Sequence, residues 1–206
     1  AVAALLADTG DAATQQLILG EMLSAFQGRV NIPMPKSWTP AYERLSKSKT
    51  AAVRDQADQV AVALGDQRIF PRMREQLANR DADLKQRRPA LEILVRGRDK
   101  QAAPAFQAAL AEPELRGAAI RALVAFDDAG TPPAVLAAYG QLNDEEKRDA
   151  VNTLVSRPAF AMALLDAVEK QKVPRTDIHA YNVRQLLRFD DEKLNRRIRE
   201  VWGEIR

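Results

Sequence analysis

Apolar residues recur three and four positions apart along most of this chain, the spacing of helices that bury one face. The clearest case runs from Asn143 to Arg157. It opens on Asn143-Asp144-Glu145-Glu146, a capping residue followed by acids in the first turn, and stops at Pro158, so both ends of a helix are marked. Inside it, Ala150, Thr153 and Leu154 share one face. Nearer the start, Val2 to Ala7 predicts the tail of a helix, broken by Asp8-Thr9-Gly10. Asp11 then caps a second helix running to about Gln27, with Leu17, Ile18, Met22, Ala25 and Phe26 as its apolar stripe and Gly28 at its end. Asn31 to Trp38 holds Pro33 and Pro35 and predicts an irregular loop. Thr39-Pro40 predicts the next start, with threonine as cap and proline at the first helical position.

From there one short pattern returns. It reads Val53-Arg54-x-x-Ala57-x-x-Val60-Ala61, then Gln86-Arg87-x-x-Ala90-x-x-Ile93-Leu94, then Leu115-Arg116-x-x-Ala119-x-x-Ala122-Leu123, then Glu146-Lys147-x-x-Ala150-x-x-Thr153-Leu154. A degenerate fifth copy, Val183-x-x-Leu186-Leu187, lacks the basic residue. The anchors 57, 90, 119, 150 and 183 are 33, 29, 31 and 33 residues apart, room for two short helices and two turns in each interval. A small anchor lets neighbouring helices approach, and the residues three and four later fill the space between them. One such pair cannot bury its apolar face alone, so the pairs must stack. The first helices of the pairs are expected at Ala41–Lys47, Ile69–Leu77, Ala102–Leu110, Pro133–Tyr139 and Phe160–Val168. Asp190 to Ile205 predicts a closing amphipathic helix with Leu194, Ile198, Val201, Trp202 and Ile205 inward and Arg196, Arg197, Arg199 and Glu200 mostly outward. The expected fold is all-α, a HEAT-like right-handed α-solenoid forming a single repeat domain over 1–206: lead-in helices 1–38, about five helix pairs 39–189, and a capping helix 190–206.

Composition narrows the chemistry. There is no cysteine, which excludes disulfides, thiolate metal sites, a cysteine nucleophile and covalent haem attachment by this chain. No apolar run approaches the ~20 residues of a membrane span, and no signal-peptide pattern occurs. The chain opens on Ala1-Val2-Ala3-Ala4 rather than on Met, which reads as an excised fragment or a processed chain. A net charge of +3 permits contact with nucleic acid without demanding it. No Gly-rich phosphate loop, Gly-x-Ser-x-Gly or His/Glu metal motif is present.

The candidate residues each have a plain structural role to weigh against a functional one. Arg54, Arg87, Arg116 and Lys147 form a basic ladder, one per repeat. It could line a groove for nucleic-acid phosphates, or each member could pair with a carbonyl or with an acid in an adjacent turn, Asp81, Asp83, Glu112 and Asp144 being available. The structural role is favoured, since the net charge is low and no aromatic residues are interleaved for base stacking. Phe126-Asp127-Asp128 and Phe189-Asp190-Asp191 lie 63 residues apart, two repeat lengths, so their carboxylates are expected to cap the helices that follow rather than to bind a cation or act as acid and base. His179, the sole histidine, cannot build a zinc site from protein ligands of the usual number and is expected in a turn. Trp202 is expected in the core. Met34 and Trp38, in the proline loop, are the candidates for contact with a neighbouring domain, although core packing of Trp38 is at least as well favoured as its exposure.

Several stretches together resemble one family: Leu19-Gly20-Glu21-Met22 to Gly28-Arg29, Ile32-Pro33-Met34-Pro35 with Trp38, Leu142 to Pro158 including Asn152-Thr153-Leu154-Val155-Ser156-Arg157, Leu164-Leu165-Asp166-Ala167-Val168, Val173-Pro174-Arg175-Thr176-Asp177, Arg184-Gln185-Leu186, and Val201-Trp202-Gly203. They are similar to the HEAT-repeat region of the membrane-bound dehydrogenases of planctomycetes and their relatives. In that family a sorbosone/glucose dehydrogenase-like β-propeller precedes the HEAT region and a c-type cytochrome module with a Cys-x-x-Cys-His motif follows it. Neither is in this chain, so the resemblance transfers no catalytic, metal or cofactor residue. It implies a non-catalytic scaffold holding propeller and cytochrome modules of the same polypeptide, in an exported or periplasmic protein without membrane insertion by this segment. The chain alone is expected to be a monomer. The competing expectation is a HEAT-like nucleic-acid-binding protein related to DNA glycosylases.

Overall fold

The computed structural model describes residues 5–6, 9–29 and 32–203. Apart from Leu5 and Leu6, the helix tail expected over Val2–Ala7 lies outside the described residues, as do Asn31 of the proline loop and Ile205 of the last stripe. All regular structure among the described residues is helical. The helices are α1 (Ala12–Phe26), α2 (Trp38–Leu45), α3 (Ala51–Ala63), α4 (Phe70–Ala78), α5 (Leu84–Arg96), α6 (Ala103–Ala109), α7 (Pro113–Leu123), α8 (Thr131–Ala138), α9 (Asp144–Leu154), α10 (Pro158–Glu169), α11 (Ala180–Leu187) and α12 (Glu192–Trp202), with 3-10 turns at Gln67–Ile69, Tyr139–Gln141 and Arg175–Asp177. Consecutive helices pack on one another, as in a HEAT-like α-solenoid. The chain divides into two compact units, Ala1–Met73 with Glu92–Asp99, and Arg74–Leu91 with Lys100–Arg206.

In the first unit, α3 is the central helix and packs against both α1 and α2. Its Val53, Ala57, Val60 and Ala61 are fully buried, the spacing expected of the repeat. Asp11 caps α1, its Oδ2 accepting from the Thr14 N–H at 2.8 Å, and Gly28 follows the helix at φ 70°. The stripe of α1 differs from expectation. Leu19 and Met22 are buried, whereas Leu17 is 67% exposed and Ala25 is exposed. Packed chiefly on α3, α1 buries a narrow strip one residue round the helix from the stripe read in the sequence. The start of α2 also shifts: Ser37 is the N-cap, and Thr39 and Pro40 lie inside the first turn, where proline's missing N–H costs nothing.

In the second unit the helices form two rows. α6, α8, α10 and α12 pack in succession, and α7 packs on α9 in the other row, with α6–α7, α9–α10 and α11–α12 crossing between them. Ala90, Ala119 and Ala150 are all 0% exposed, and Leu94, Leu123 and Leu154, each four residues beyond an anchor, are buried too, Leu94 within the first unit. The degenerate copy follows with Val183 and Leu186 buried, but its Leu187 is 37% exposed. α9 starts on a full capping box: Asn143 Oδ1 accepts from the N–H groups of Glu145 and Glu146, both at 3.0 Å, and Glu146 Oε2 accepts from the Asn143 N–H at 3.0 Å. Leu194 and Ile198 of α12 are buried against α10 and α11, so this closing helix takes the place of the first helix of a sixth pair. Trp202 is only half-buried, its ring covered by the Arg175 guanidinium 4.5 Å from the centroid. Arg197 does not point away as expected. It spans from α12 to α10 and bonds Asp166 at 2.7 Å and Glu169 at 2.6 Å, with Glu200 at 3.3 Å.

Candidate functional site

The basic ladder is the feature most able to decide a function; its two central members, Arg87 and Arg116, are buried, while Arg54 and Lys147 are half-buried. Arg87 is 1% exposed, donating Nε–H to the Leu77 carbonyl at 3.0 Å and meeting Glu112 Oε2 at 3.3 Å. Arg116 is buried as well. Its Nε–H reaches the Leu110 carbonyl at 2.7 Å, and its two terminal nitrogens donate to the carbonyl and the side-chain oxygen of Gln141 at 3.1 and 3.3 Å. Arg54 donates to the Ser48 carbonyl at 2.6 Å. Lys147 lies 3.7 Å from Asp177 Oδ2 and 5.9 Å from the centre of the Tyr139 ring. Arg87 and Arg116 share one chemistry, whereas Arg54 bonds a turn carbonyl beyond the end of α2 and Lys147 meets a carboxylate. The last carbonyls of a helix have no intrahelical donor, and a cation from the following helix supplies one. Of the four acids set against the ladder, Glu112 serves Arg87. Arg116 is held by carbonyls and an amide oxygen instead.

The two Phe-Asp-Asp triplets are not equivalent. Asp191 caps α12, its Oδ1 accepting from the Leu194 N–H at 2.8 Å, while Asp190 adopts φ 53°. Asp128 closes a turn onto the Gly130 N–H at 2.9 Å and accepts from Gln107 Nε2 at 2.7 Å, and α8 itself has no side-chain cap. Asp127 is exposed, 3.7 Å from Arg157. The better match to Asp190-Asp191 is Gly65-Asp66 and Arg98-Asp99. In all three a residue at positive φ (69° at Gly65, 52° at Arg98) precedes an aspartate. The positive φ explains the glycine at position 65. Phe126, Asp127 and Asp128 line a shallow surface pocket of about 290 Å³ with Lys100 and Pro104.

His179 sits exposed at the N-terminus of α11, its backbone N–H bonded to Asn182 Oδ1 at 3.1 Å and its ring stacked on Tyr181. Among the described residues no group of three or more His, Asp or Glu is placed to hold a metal ion.

The proline loop requires a correction. Met34 is 45% exposed and remains available for contact, but Trp38 is 0% exposed and offers no surface. Its indole N–H donates to Asp66 Oδ2 at 3.0 Å, and its ring lies 5.7 Å from that of Tyr42. A tryptophan in the first turn of a short helix has both a large apolar body to bury and a donor to satisfy, and the turn after α3 provides both.

Sequence reasoning missed the polar cluster around that indole. Asp66 also takes Arg68 Nε at 2.8 Å and Nη2 at 2.5 Å. Beside it Asp58, 4% exposed, accepts from the Tyr42 hydroxyl at 3.0 Å and pairs with Arg72. Burial pushes Asp58 upward, outweighing the pull of Arg72 and the Tyr42 hydroxyl. Burial also acts to raise Asp66, but the hydrogen bonds and charge of Arg68 outweigh it and hold that carboxyl below its ordinary value. Burial and the Asp58 charge raise Tyr42. The signal for the cluster was faint: Asp58 sits directly after the anchor Ala57, on a face the repeat buries.

No helix among the described residues is long and apolar enough to cross a membrane. Comparison with family models, with curated proteins and with solved structures gave no match to this chain.

Proposed function

We propose that this chain is a non-catalytic helical-repeat scaffold. One observation carries the proposal: Arg87 and Arg116, the ladder residues that would have to face a phosphate backbone, are buried and bonded to carbonyls and to the next repeat. Their charge is used to couple repeats. Such coupling gives a stiff spacer, because an array of this kind is as rigid as its nearest-neighbour contacts. The resemblance to the planctomycete dehydrogenases supports a finer role, that of spacing a sugar-oxidising propeller from a c-type cytochrome within one exported polypeptide. Met34 is then the exposed apolar residue best suited to meet a neighbouring module. The test is to express the parent protein with and without this segment, and with a flexible linker of equal reach in its place. Scaffolding predicts that sugar oxidation by the propeller survives both changes while electron transfer to the haem falls in the deletion and the linker form. Equal haem reduction in all three would overturn it. Incubating the purified chain with sugar and an artificial acceptor should give no turnover; sustained turnover would expose a catalytic site in the chain.

A further inference from the structure

Four carboxylates, Asp58, Asp66, Asp99 and Glu146, are buried but only two guanidiniums, Arg87 and Arg116, among the described residues, so the described surface is more basic than the formal charge of +3 conveys. Part of the excess gathers in the second unit, where hydrogen bonds join α9 to α11. Arg148 and Asn152 stand one turn apart on α9, and Tyr181 and Arg184 one turn apart on α11, all four exposed. The Tyr181 hydroxyl donates to Asn152 Oδ1 at 3.3 Å, and Nδ2 of the fully buried Asn182 donates to the same oxygen at 3.3 Å. Asn182 is fixed in turn by accepting the His179 N–H at 3.1 Å. The Asn152 amide is thereby oriented: its oxygen is saturated, and its Nδ2 donor has no protein partner among the described residues. Tyr181 is 47% exposed, one face of its ring stacked on His179. Arg148 and Arg184 have no ion-pair partner among the described residues, whereas Arg121 on α7 reaches Asp149 at 2.8 Å and Glu145 at 4.0 Å.

We propose that this α9–α11 face binds an acidic peptide segment of a partner protein. Arg148 and Arg184 take its carboxylates, the Asn152 Nδ2 donates to a main-chain carbonyl between them, and the Tyr181 ring covers an apolar side chain. An oriented amide with only its donor free selects for an acceptor, and two unpaired guanidiniums select for negative charge. A peptide fits better than a nucleic acid because Glu145 and Asp149 border the face on α9. Evenly spaced phosphates running along it would meet those carboxylates, while a peptide can place its acids only where the arginines are. The proposal does not depend on the flanking modules that the resemblance implies, and goes beyond the scaffold role.

The experiment is fluorescence anisotropy of the intact chain with a labelled peptide of Glu and Asp around one Leu, the same peptide with Gln and Asn, and a labelled DNA duplex. The acidic peptide should bind at low salt and weaken as salt rises, with the amide peptide weaker by about tenfold or more. R148E combined with R184E should cost about tenfold or more, with an unchanged melting curve because both residues are exposed. K193E combined with R199E, on the exposed side of α12, should leave affinity unaltered. Three results would overturn the proposal: no binding at low salt, equal loss from the α12 pair, or a duplex that binds more tightly than the peptide and loses affinity in the α9–α11 variant.

Discussion

Replacing Arg116 with alanine separates a structural ladder from a phosphate groove. Arg116 is 5% exposed and makes three hydrogen bonds, at 2.7, 3.1 and 3.3 Å, to Leu110 and Gln141. A bond from a charged donor contributes ~1.5–3 kcal/mol, and an acceptor left buried without a partner costs ~1–3 kcal/mol. The three bonds share one side chain, and the longest contributes least. Water entering the vacated space recovers part of the loss at the two carbonyls. The expected destabilisation of R116A is therefore about 3 kcal/mol. In a chain of this length each kcal/mol lowers Tm by ~2–4 °C, so a fall of about 6–12 °C follows. Lysine at the same position keeps the charge but reaches one acceptor at a time, and should recover about half. The control is R121A, whose side chain is 55% exposed and whose pairs with Asp149 and Glu145 are of the surface kind, with ~0.5 kcal/mol expected. Urea titration and thermal melts followed at 222 nm read all three variants. If R116A proves as mild as R121A, the side chain is not holding two repeats together and the inward ladder is wrong.

Four further outcomes follow from the packing. Ala119→Leu should cost about 1–3 kcal/mol in urea titration, because a 0% exposed anchor on α7 faces both α6 and α9; a neutral result would show the repeat register to be misplaced. Asn143→Ala should cost about 1 kcal/mol by removing the side-chain half of the α9 capping box, with little change expected from Asn79→Ala, which serves a loop turn. Gly97→Ala would set a Cβ 2.5 Å from Phe70 Cε1 and 2.6 Å from Cζ, forcing a largely buried ring to move; a loss of about 1–3 kcal/mol is expected, and wild-type stability would contradict that close approach. Asp66 is held below its ordinary value of 3.8, so its contribution is present above that pH and disappears as pH falls through the folded-state value. Asp58, raised by burial, acts in the opposite sense, contributing below its ordinary value and losing that contribution as pH rises through its folded-state value. The stability gap between wild type and Asp66→Asn should accordingly narrow on acidification below about pH 4; a gap constant from pH 7 to pH 2 would count against the Arg68 pairing.

The repeat was legible because its signals are local and redundant. A small anchor, apolar residues three and four later, and a cap before them recur often enough that the loss of one leaves the rest readable. Ala57, Ala90, Ala119 and Ala150 are all fully buried. Where one signal stood alone it misled. The stripe of α1 was assigned from apolar residues wherever they occurred, but a helix packed chiefly on one neighbour, α3, leaves Leu17 in solvent. Trp38 looked like part of a loop because two prolines precede it, yet its fate depended on Asp66, 28 residues away and paired with it only by folding. The Asn152–Asn182 relay was hidden for the same reason: neither asparagine belongs to a motif, and their meeting depends on how α9 and α11 align.

The direction in which side chains face also follows from the ends of the helices. In the second unit the Thr153 hydroxyl donates to the Ile120 carbonyl at 3.1 Å, Arg157 to the Val124 carbonyl at 2.9 Å, and Gln185 to the Val155 carbonyl at 3.4 Å. Each acceptor lies at or near the end of a second-row helix, where carbonyls lack an intrahelical donor. Each donor comes from the following repeat. A short helix exposes nearly as many orphan carbonyls as it satisfies, so an array with helices as short as the 7-residue α6 and the 8-residue α11 needs polar side chains at its seams. That need consumes Arg87, Arg116, Thr153 and Arg157 and removes them from any surface chemistry. Arg148 and Arg184, by contrast, are exposed and enter no ion pair among the described residues, which leaves them among the cations of the second unit not used at a seam.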